Sequence, residues 1–465
     1  MRLVLRLFKW FLGLVAVLLV GGALWLYFYP PALIRVGSNY AAKIICSNVF
    51  IAGRDPQTVL ERDVQAPGHP LLKLMRVRVE PSDATVHTGL FGVFGGGLAV
   101  YRGAAGCAAV PGGDVNASLG THFEKPKSAA RGAGLWPDGP RIDVEDHPLV
   151  AELLNDRELT GPGMRAVIVV QDGRIIGERF GAEIAHHTQP LIGWSMTKTV
   201  TAALVGTRVL AGRLSVEDDN LFPEWADDER AKITVADLLA MESGLAFNEN
   251  YGDVSDVTRM LYLEADMPAF AANRQLEGPV GEVFNYSSGT SVLLSRVWQN
   301  SFEAPQDALA WPYEALFGPL GMDSAVFETD PHGTYVGSSN LYASARDWAK
   351  FGQLLLQGGI WRGERILPED WVRWMRTPTR ASNGEYGRQT WLHGPRANTP
   401  HGVPEDEGFN LPPDAFWLLG HDGQTITIIP SLRMVVVRMG LTPSRLGYKP
   451  QALIEALAQL PGEME

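Results

Sequence analysis

The chain predicts an α/β protein of the α+β kind, in which an antiparallel sheet is closed by two distant hairpins and a helical lobe is inserted between them. Three observations carry this. Ala166-Val167-Ile168-Val169-Val170 and Arg174-Ile175-Ile176-Gly177 flank Asp172-Gly173, and apolar runs around an Asp-Gly pair are a strong hairpin signal. Far downstream, Gln424 to Ile429 and Met434 to Met439 are strand-like and are joined by Pro430-Ser431-Leu432-Arg433. The stretch between these ends reads as helical. Ser344-Ala345-Arg346-Asp347 resembles a capping box with Asp in place of Glu, Trp348, Phe351, Leu354 and Leu355 follow at helical spacing, and Gly358-Gly359 ends the run.

Residues 1–30 stand apart. Arg2, Arg6 and Lys9 precede an uncharged apolar run from Trp10 to Tyr29, closed by Pro30 and Pro31. That is about the 20 residues a helix needs to cross a bilayer core. A cleaved signal would place small residues where Leu24-Trp25-Leu26-Tyr27-Phe28-Tyr29 stands, and these aromatics suit a membrane interface instead. The expectation is an uncleaved single-pass anchor, ahead of a cleaved signal or a buried soluble helix. Basic residues before the span keep the N-terminus cytoplasmic. The remainder is then periplasmic, on the outer side of the inner membrane.

Residues 31–122 form a small exported unit. Leu72 to Val79 alternates like a half-buried strand, and Leu98-Ala99-Val100-Tyr101 reads as another. Gly92 and Gly95-Gly96-Gly97 lack the order of a phosphate-binding loop and read as turn chemistry. Export permits a disulfide between the two cysteines, Cys46 and Cys107. Two buried free thiols are the alternative. Residues 123–142, with Glu124-Lys125-Pro126-Lys127 and Pro137-Asp138-Gly139-Pro140, have a linker composition. Residues 143–465 form the third unit.

The 465-residue chain carries a formal net charge of −12 and no basic block, so nucleic acid is not an expected partner. Neither Cys-x-x-Cys nor His-Glu-x-x-His occurs, and no metal or cofactor is expected.

The chemistry concentrates at Gly193-Trp194-Ser195-Met196-Thr197-Lys198, which leads into an apolar run reaching Leu210, with Gly212 as a C-cap. Ser195 falls near a helix N-terminus, where free N–H groups favour negative charge. Lys198 lies one turn further along the same face. Apolar surroundings lower a lysine's pKa from about 10.4, and a neutral amine can take the serine proton. Alone this spacing also fits an N-cap serine beside an exposed lysine. A second piece is Phe284-Asn285-Tyr286-Ser287-Ser288-Gly289. A tyrosine near a lysine cation can have its pKa pulled down and serve as a base, or can simply sit half-buried in a turn. The third is Gly420-His421-Asp422-Gly423-Gln424. A glycine opening a sheet-edge strand admits a substrate carbonyl to the backbone, and the N–H of Gln424 could pair with that of Ser195 as an oxyanion hole.

In order and context the three pieces resemble the serine β-lactamase and penicillin-binding-protein superfamily, and within it the class C β-lactamase-related hydrolases similar to 6-aminohexanoate-dimer hydrolase. The resemblance covers about residues 145 to 460. It includes Leu238-Leu239-Ala240-Met241-Glu242-Ser243-Gly244-Leu245, with Met241 where the family has histidine, and Gly337-Ser338-Ser339-Asn340-Leu341-Tyr342-Ala343-Ser344. It implies a β-lactamase-like sandwich with an all-helical lobe. It implies that Ser195 forms an acyl-enzyme, that Lys198 activates it, that Tyr286 shuttles protons, and that Ser195 and Gln424 donate to the oxyanion. His421 stands at the family's Lys or His, and Asp422 and Gly423 complete that turn. Ser288 stands where β-lactamases usually have Asn. Asp422 is anionic, which disfavours a substrate carboxylate. A carboxylic ester or linear amide is therefore the expected substrate, ahead of a β-lactam or a D-alanyl-D-alanine peptide. Two rival readings are an α/β-hydrolase, from the near match of Gly193-Trp194-Ser195-Met196-Thr197 to its nucleophile elbow, and a non-catalytic cell-wall-binding module.

Overall fold

The computed structural model describes residues 2–119, 123–126, 132–142, 147–400 and 402–460. It opens with helix α1 (Arg2–Phe28). Within Leu3–Phe28 an 18-residue window has a mean hydropathy of 2.3 and none of it is buried, so this helix is long and apolar enough to cross a membrane.

After Pro30-Pro31 comes α2 (Ala32–Phe50), buried along most of its length. It lies across a four-stranded antiparallel sheet of β1 (Met75–Glu80), β2 (Thr85–Leu90), β3 (Phe94–Tyr101) and β4 (Cys107–Ala109) in sequential order. The strand expected from Leu72 begins only at Met75. Residues Pro70–Leu74 form a 3₁₀ turn, opened by Pro70 and capped by His69, whose Nδ1 accepts from the Leu71 amide. The glycines also differ from expectation. Gly92 is in a turn, but Gly95-Gly96-Gly97 lie inside β3. A Cβ on Gly97 would stand 2.3 Å from the Ser38 backbone. The missing side chains let α2 rest directly on the strand. Cys46 of α2 and Cys107 of β4 are joined as a disulfide.

Of the linker expected at 123–142, residues 127–131, including Lys127, lie outside the described residues. So do 120–122 and 143–146 at its two ends.

The larger body contains α3 (Pro148–Asn155), β5 (Met164–Gln171), β6 (Arg174–Phe180), α4 (Thr197–Leu210), α5 (Val235–Ala240), α6 (Ser288–Asn300), α7 (Ala345–Leu356), β7 (Phe416–Gly420), β8 (Gln424–Ile429), β9 (Met434–Gly440) and α8 (Gln451–Ala458). Its five-stranded sheet runs β7-β8-β9-β5-β6, antiparallel throughout. Both expected hairpins are present, and the distant ends of the body meet at β9 and β5. Asp172 and Gly173 have φ of 50° and 75°, the left-handed pair that a two-residue hairpin turn requires. Alternate residues of β5 face opposite layers. Ile168 and Val170 join Trp348 and Phe351 of α7, whereas Val167 and Val169 join Val150 and Leu154 of α3 and Leu453 and Leu457 of α8.

At the start of α7, Ser344 caps the Asp347 amide, but only half of the capping box forms. The Asp347 carboxylate turns instead to Ser324 and Lys350. The strand opening at Gln424 is not the sheet edge. β7 lies outside it, so His421-Asp422-Gly423 is a hairpin turn.

The two bodies are locked together through buried charge. Glu328 (0% exposed) reaches from the larger body to pair with Lys43 of α2, and it accepts from Ser47 Oγ at 2.8 Å and from the Cys107 amide at 2.7 Å. Arg102 donates to the carbonyl oxygens of Thr329 and Asp330. Asp63 holds Arg54 at 2.7 Å and Arg165 at 2.6 Å. Ion pairs this deep break badly when one partner is lost, because the other is left charged and unpaired.

Candidate active site

Ser195 sits in the 3₁₀ turn Trp194–Met196, which runs directly into α4. The turn is placed by the short strand Leu191–Ile192, paired with Leu341–Ala343, and by the Gly193 amide donating to Leu341 O at 2.9 Å. A Cβ on Gly193 would stand 2.2 Å from the Trp348 ring, and one on Gly420 would stand 2.3 Å from the Gly193 carbonyl oxygen. Gly420 lets the β7 edge, and Gly193 the Trp348 ring of α7, press against the Ser195 turn. Gly423, by contrast, abuts the Arg438 guanidinium, which donates to its carbonyl at 2.8 Å. The close approach to the Ser195 turn is thus made at Gly420, three residues before Gly423. Trp194 adopts φ of 49°, a left-handed conformation that costs a bulky residue energy and is found where surrounding structure imposes it.

Lys198 is 1% exposed. Its Nζ lies 3.1 Å from each of three oxygens, namely Ser195 Oγ, Ser288 Oγ and the Ser338 carbonyl. Burial lowers its pKa from 10.5 to about 8, against a smaller opposing pull from the charge of Glu249. A protonated amine satisfies all three oxygens. A neutral one donates to two and accepts the Ser195 proton. The carbonyl of Ser338 comes from the Gly337 to Ser344 segment, and Thr201 Oγ1 of α4 donates to the Gly337 carbonyl at 2.8 Å.

Tyr286 presents its ring to the same amine, with Nζ 4.8 Å from the ring centroid, and packs against Trp391 and Tyr386 at 5.1 and 5.9 Å. Burial raises its pKa, and hydrogen bonding to Ser195 and Trp391 offsets this only in part. The lysine does not pull the phenol down as expected: burial is the leading cause of the shift, and an amine with a pKa of about 8 is already uncharged where the phenol would ionise. The resting phenol is neutral. The Tyr286 loop is held by Met241, the residue at the family's histidine. Met241 takes a left-handed φ of 61° at the end of α5, its carbonyl accepts from the Asn285 amide at 2.9 Å, and its Sδ accepts from the Ser287 amide at 3.4 Å.

Ser288 is 0% exposed. Its hydroxyl bridges Lys198 to Glu249, donating to Glu249 Oε1 at 2.5 Å, while its amide donates to Oε2 at 2.8 Å. Sequence reasoning missed Glu249. So too Tyr251, whose hydroxyl lies 3.2 Å from Glu249 Oε1 and 3.4 Å from Ser288 Oγ. Both follow Leu245 in a loop with no periodicity to mark them.

The His421 ring is half exposed and lies 5.8 Å from the Trp194 ring, 5.6 Å from that of Tyr251, and within 3.5 Å of the Asp422 carboxylate. Burial raises the Asp422 pKa, with His421 opposing. Gln424 is 2% exposed. Its side chain donates to the carbonyl oxygens of His421 and Gly440 and accepts from the Gly440 amide, which fixes the turn.

The β-lactamase family model matches residues 156–452. A 6-aminohexanoate-dimer hydrolase of Paenarthrobacter ureafaciens is 23% identical over 304 residues, covering 60% of this chain and 72% of the relative. Among solved structures, a family VIII carboxylesterase is similar with a TM-score of 0.52 at 17% identity, covering 69% of this chain and 99% of the other. A penicillin-binding-protein homologue from Caulobacter crescentus aligns with a TM-score of 0.51 at 16% identity, covering 69% and 98% of the two chains. At these identities the structural matches speak to the fold.

Proposed function

This chain belongs to the β-lactamase family of serine hydrolases, and from that premise we propose that it cleaves a carboxylic ester or linear amide through an acyl-enzyme on Ser195. The observation that carries the reading is the buried Lys198 amine, 3.1 Å from Ser195 Oγ and with its pKa lowered to about 8. In its neutral form Lys198 takes the hydroxyl proton as Ser195 Oγ attacks the carbonyl carbon. The amides of Ser195 and Gln424 receive the oxyanion. The proton passes by way of the Tyr286 hydroxyl to the leaving alcohol or amine. Water then attacks the acyl-enzyme, gives its proton back along the same route, and frees Ser195. A neutral phenol suits such a relay, since it can accept and donate in one step.

The absence of a lysine from His421-Asp422-Gly423 supports an ester or linear amide over a β-lactam. The amide-hydrolysing relative points the same way. We further propose that α1 anchors the enzyme, with Arg2, Arg6 and Lys9 on the cytoplasmic side.

The test compares full-length protein with Ser195→Ala on p-nitrophenyl acetate and a chromogenic cephalosporin. Ester turnover that is lost in the variant, with the cephalosporin intact, is the expected result. Efficient cephalosporin turnover would overturn the substrate preference, and ester turnover surviving in Ser195→Ala would overturn the nucleophile.

A further inference from the structure

A cavity of about 420 Å³ lies beside the nucleophile, between the N-terminal unit and the catalytic body. That volume falls within the range of small-molecule sites, about 300–1,000 Å³. One wall is Leu33 and Val36 of α2 with Leu71 and Leu72 of the 3₁₀ turn. The facing wall is Trp194, Tyr251 and His421. Trp194 directly precedes Ser195, and the Tyr251 hydroxyl touches Glu249 and Ser288, which lead to Lys198. The cavity therefore reaches Trp194, the residue before Ser195, and Tyr251. None of the chemistry described above uses its apolar wall.

Its outer wall borders the foot of α1. Leu33 follows the last residue of that helix, Phe28, by a few positions, and both Leu33 and Leu71 are half-buried. Beside them the N-terminal unit exposes a cluster of large apolar side chains. Phe91 (54% exposed) and Val93 (57%) form the β2–β3 turn, and the Phe91 amide donates to the carbonyl of Leu74 (39%). This turn leads into Gly95, which abuts Pro30 and Ile34. Exposed phenylalanine, valine and leucine gathered at the exit of an apolar span suit an interface with lipid rather than water.

We propose that this cavity receives the hydrocarbon chain of an amphiphilic ester or amide drawn from the bilayer, entering past the half-buried Leu33 and Leu71 and delivering its carbonyl to Ser195. This rests on the reading of Ser195 as nucleophile and of α1 as anchor. Each methylene moved from water to such a site strengthens binding about fourfold, so selectivity for long chains should be steep. The chain could sit on the acyl side or on the alcohol side of the scissile bond.

The experiment uses full-length protein in detergent micelles and two substrate pairs, p-nitrophenyl decanoate against acetate and decyl acetate against ethyl acetate. In one pair or the other, the long chain should raise kcat/KM at least about tenfold. Leu33→Trp and, separately, Leu71→Trp should cut that ratio about tenfold, and the responding pair identifies the side. A flat ratio in both pairs, or a ratio that both variants leave intact, overturns the proposal. Binding of 11-(dansylamino)undecanoic acid, read by fluorescence, needs no turnover. Wild-type binding that weakens about tenfold in the variants supports the cavity even if neither ester is cleaved, an outcome that would sink the catalytic reading alone. No binding to the wild type, with esters cleaved at a flat ratio, sinks only the cavity.

Discussion

Glu249 is linked to Lys198 through one hydroxyl. Ser288 Oγ donates to the carboxylate at 2.5 Å and lies 3.1 Å from the amine. The carboxylate charge favours the protonated lysine and so opposes the downward shift that burial imposes. The proposed mechanism requires the neutral amine, so activity should rise with pH through a limb near 8. Glu249→Gln removes the opposing charge while keeping a polar group beside Ser288. The limb in kcat/KM should therefore move to lower pH. A limb that stays in place or moves up would show that Glu249 does not act on Lys198.

Tyr286→Phe separates the base from the relay. Because burial keeps the phenol neutral, the limb near pH 8 belongs to Lys198 and should persist in the variant. Loss of proton delivery to the leaving group should lower kcat by about 10²–10⁴-fold. Disappearance of the limb in Tyr286→Phe would return the role of base to the tyrosine.

The sheet was legible because its signals are local. The Asp172-Gly173 turn and the Pro430 to Arg433 connection mark two hairpins whatever the rest of the chain does. The meeting of Ser195, Lys198 and Tyr286 was legible because each stands within a short, ordered motif. Glu249 and the cavity wall were not, since they arise from loops and helices brought together across long separations. The Gly95-Gly96-Gly97 stretch was misread for the same reason. Glycine in a strand answers to whatever packs on it, here the backbone of α2 at Ser38, and no local pattern announces that contact. The Tyr286 pKa failed differently. The nearby amine was anticipated, but not the burial that raises the phenol, nor the lowered pKa that leaves the amine uncharged where the phenol would ionise.

The disulfide closes a loop between residues 61 apart, which in the chain-entropy picture is worth about 4 kcal/mol. It ties α2 to β4 beside the buried Lys43–Glu328 pair. Cys46→Ser/Cys107→Ser should lower Tm, and a reducing agent should lower the wild-type Tm toward the same value while leaving the variant unchanged. Equal Tm values for wild type and variant under oxidising conditions would mean that the bond contributes nothing to the fold.

Lys198 should weaken the fold it serves. Its folded pKa, about 8, lies below the ordinary 10.5. Between those values the unfolded chain holds a proton that the folded chain has released, so stability rises with pH across that window. Below pH 8 the full cost of the buried cation is present, about 3 kcal/mol at 1.36 kcal/mol per pH unit. Lys198→Met removes this cost but also three hydrogen bonds to Ser195, Ser288 and Ser338, each worth about 1 kcal/mol in the folded state. At pH 6 the two nearly cancel, so the inactive variant should be about as stable as the wild type. At pH 10 most of the lysine's cost has gone while the bonds remain, so the variant should fall below the wild type by about 2 kcal/mol. Urea unfolding of both proteins at the two pH values measures the difference. A gap that is the same at pH 6 and pH 10 would show that Lys198 is not held at a lowered pKa, and with it the source of the catalytic amine would have to be sought elsewhere.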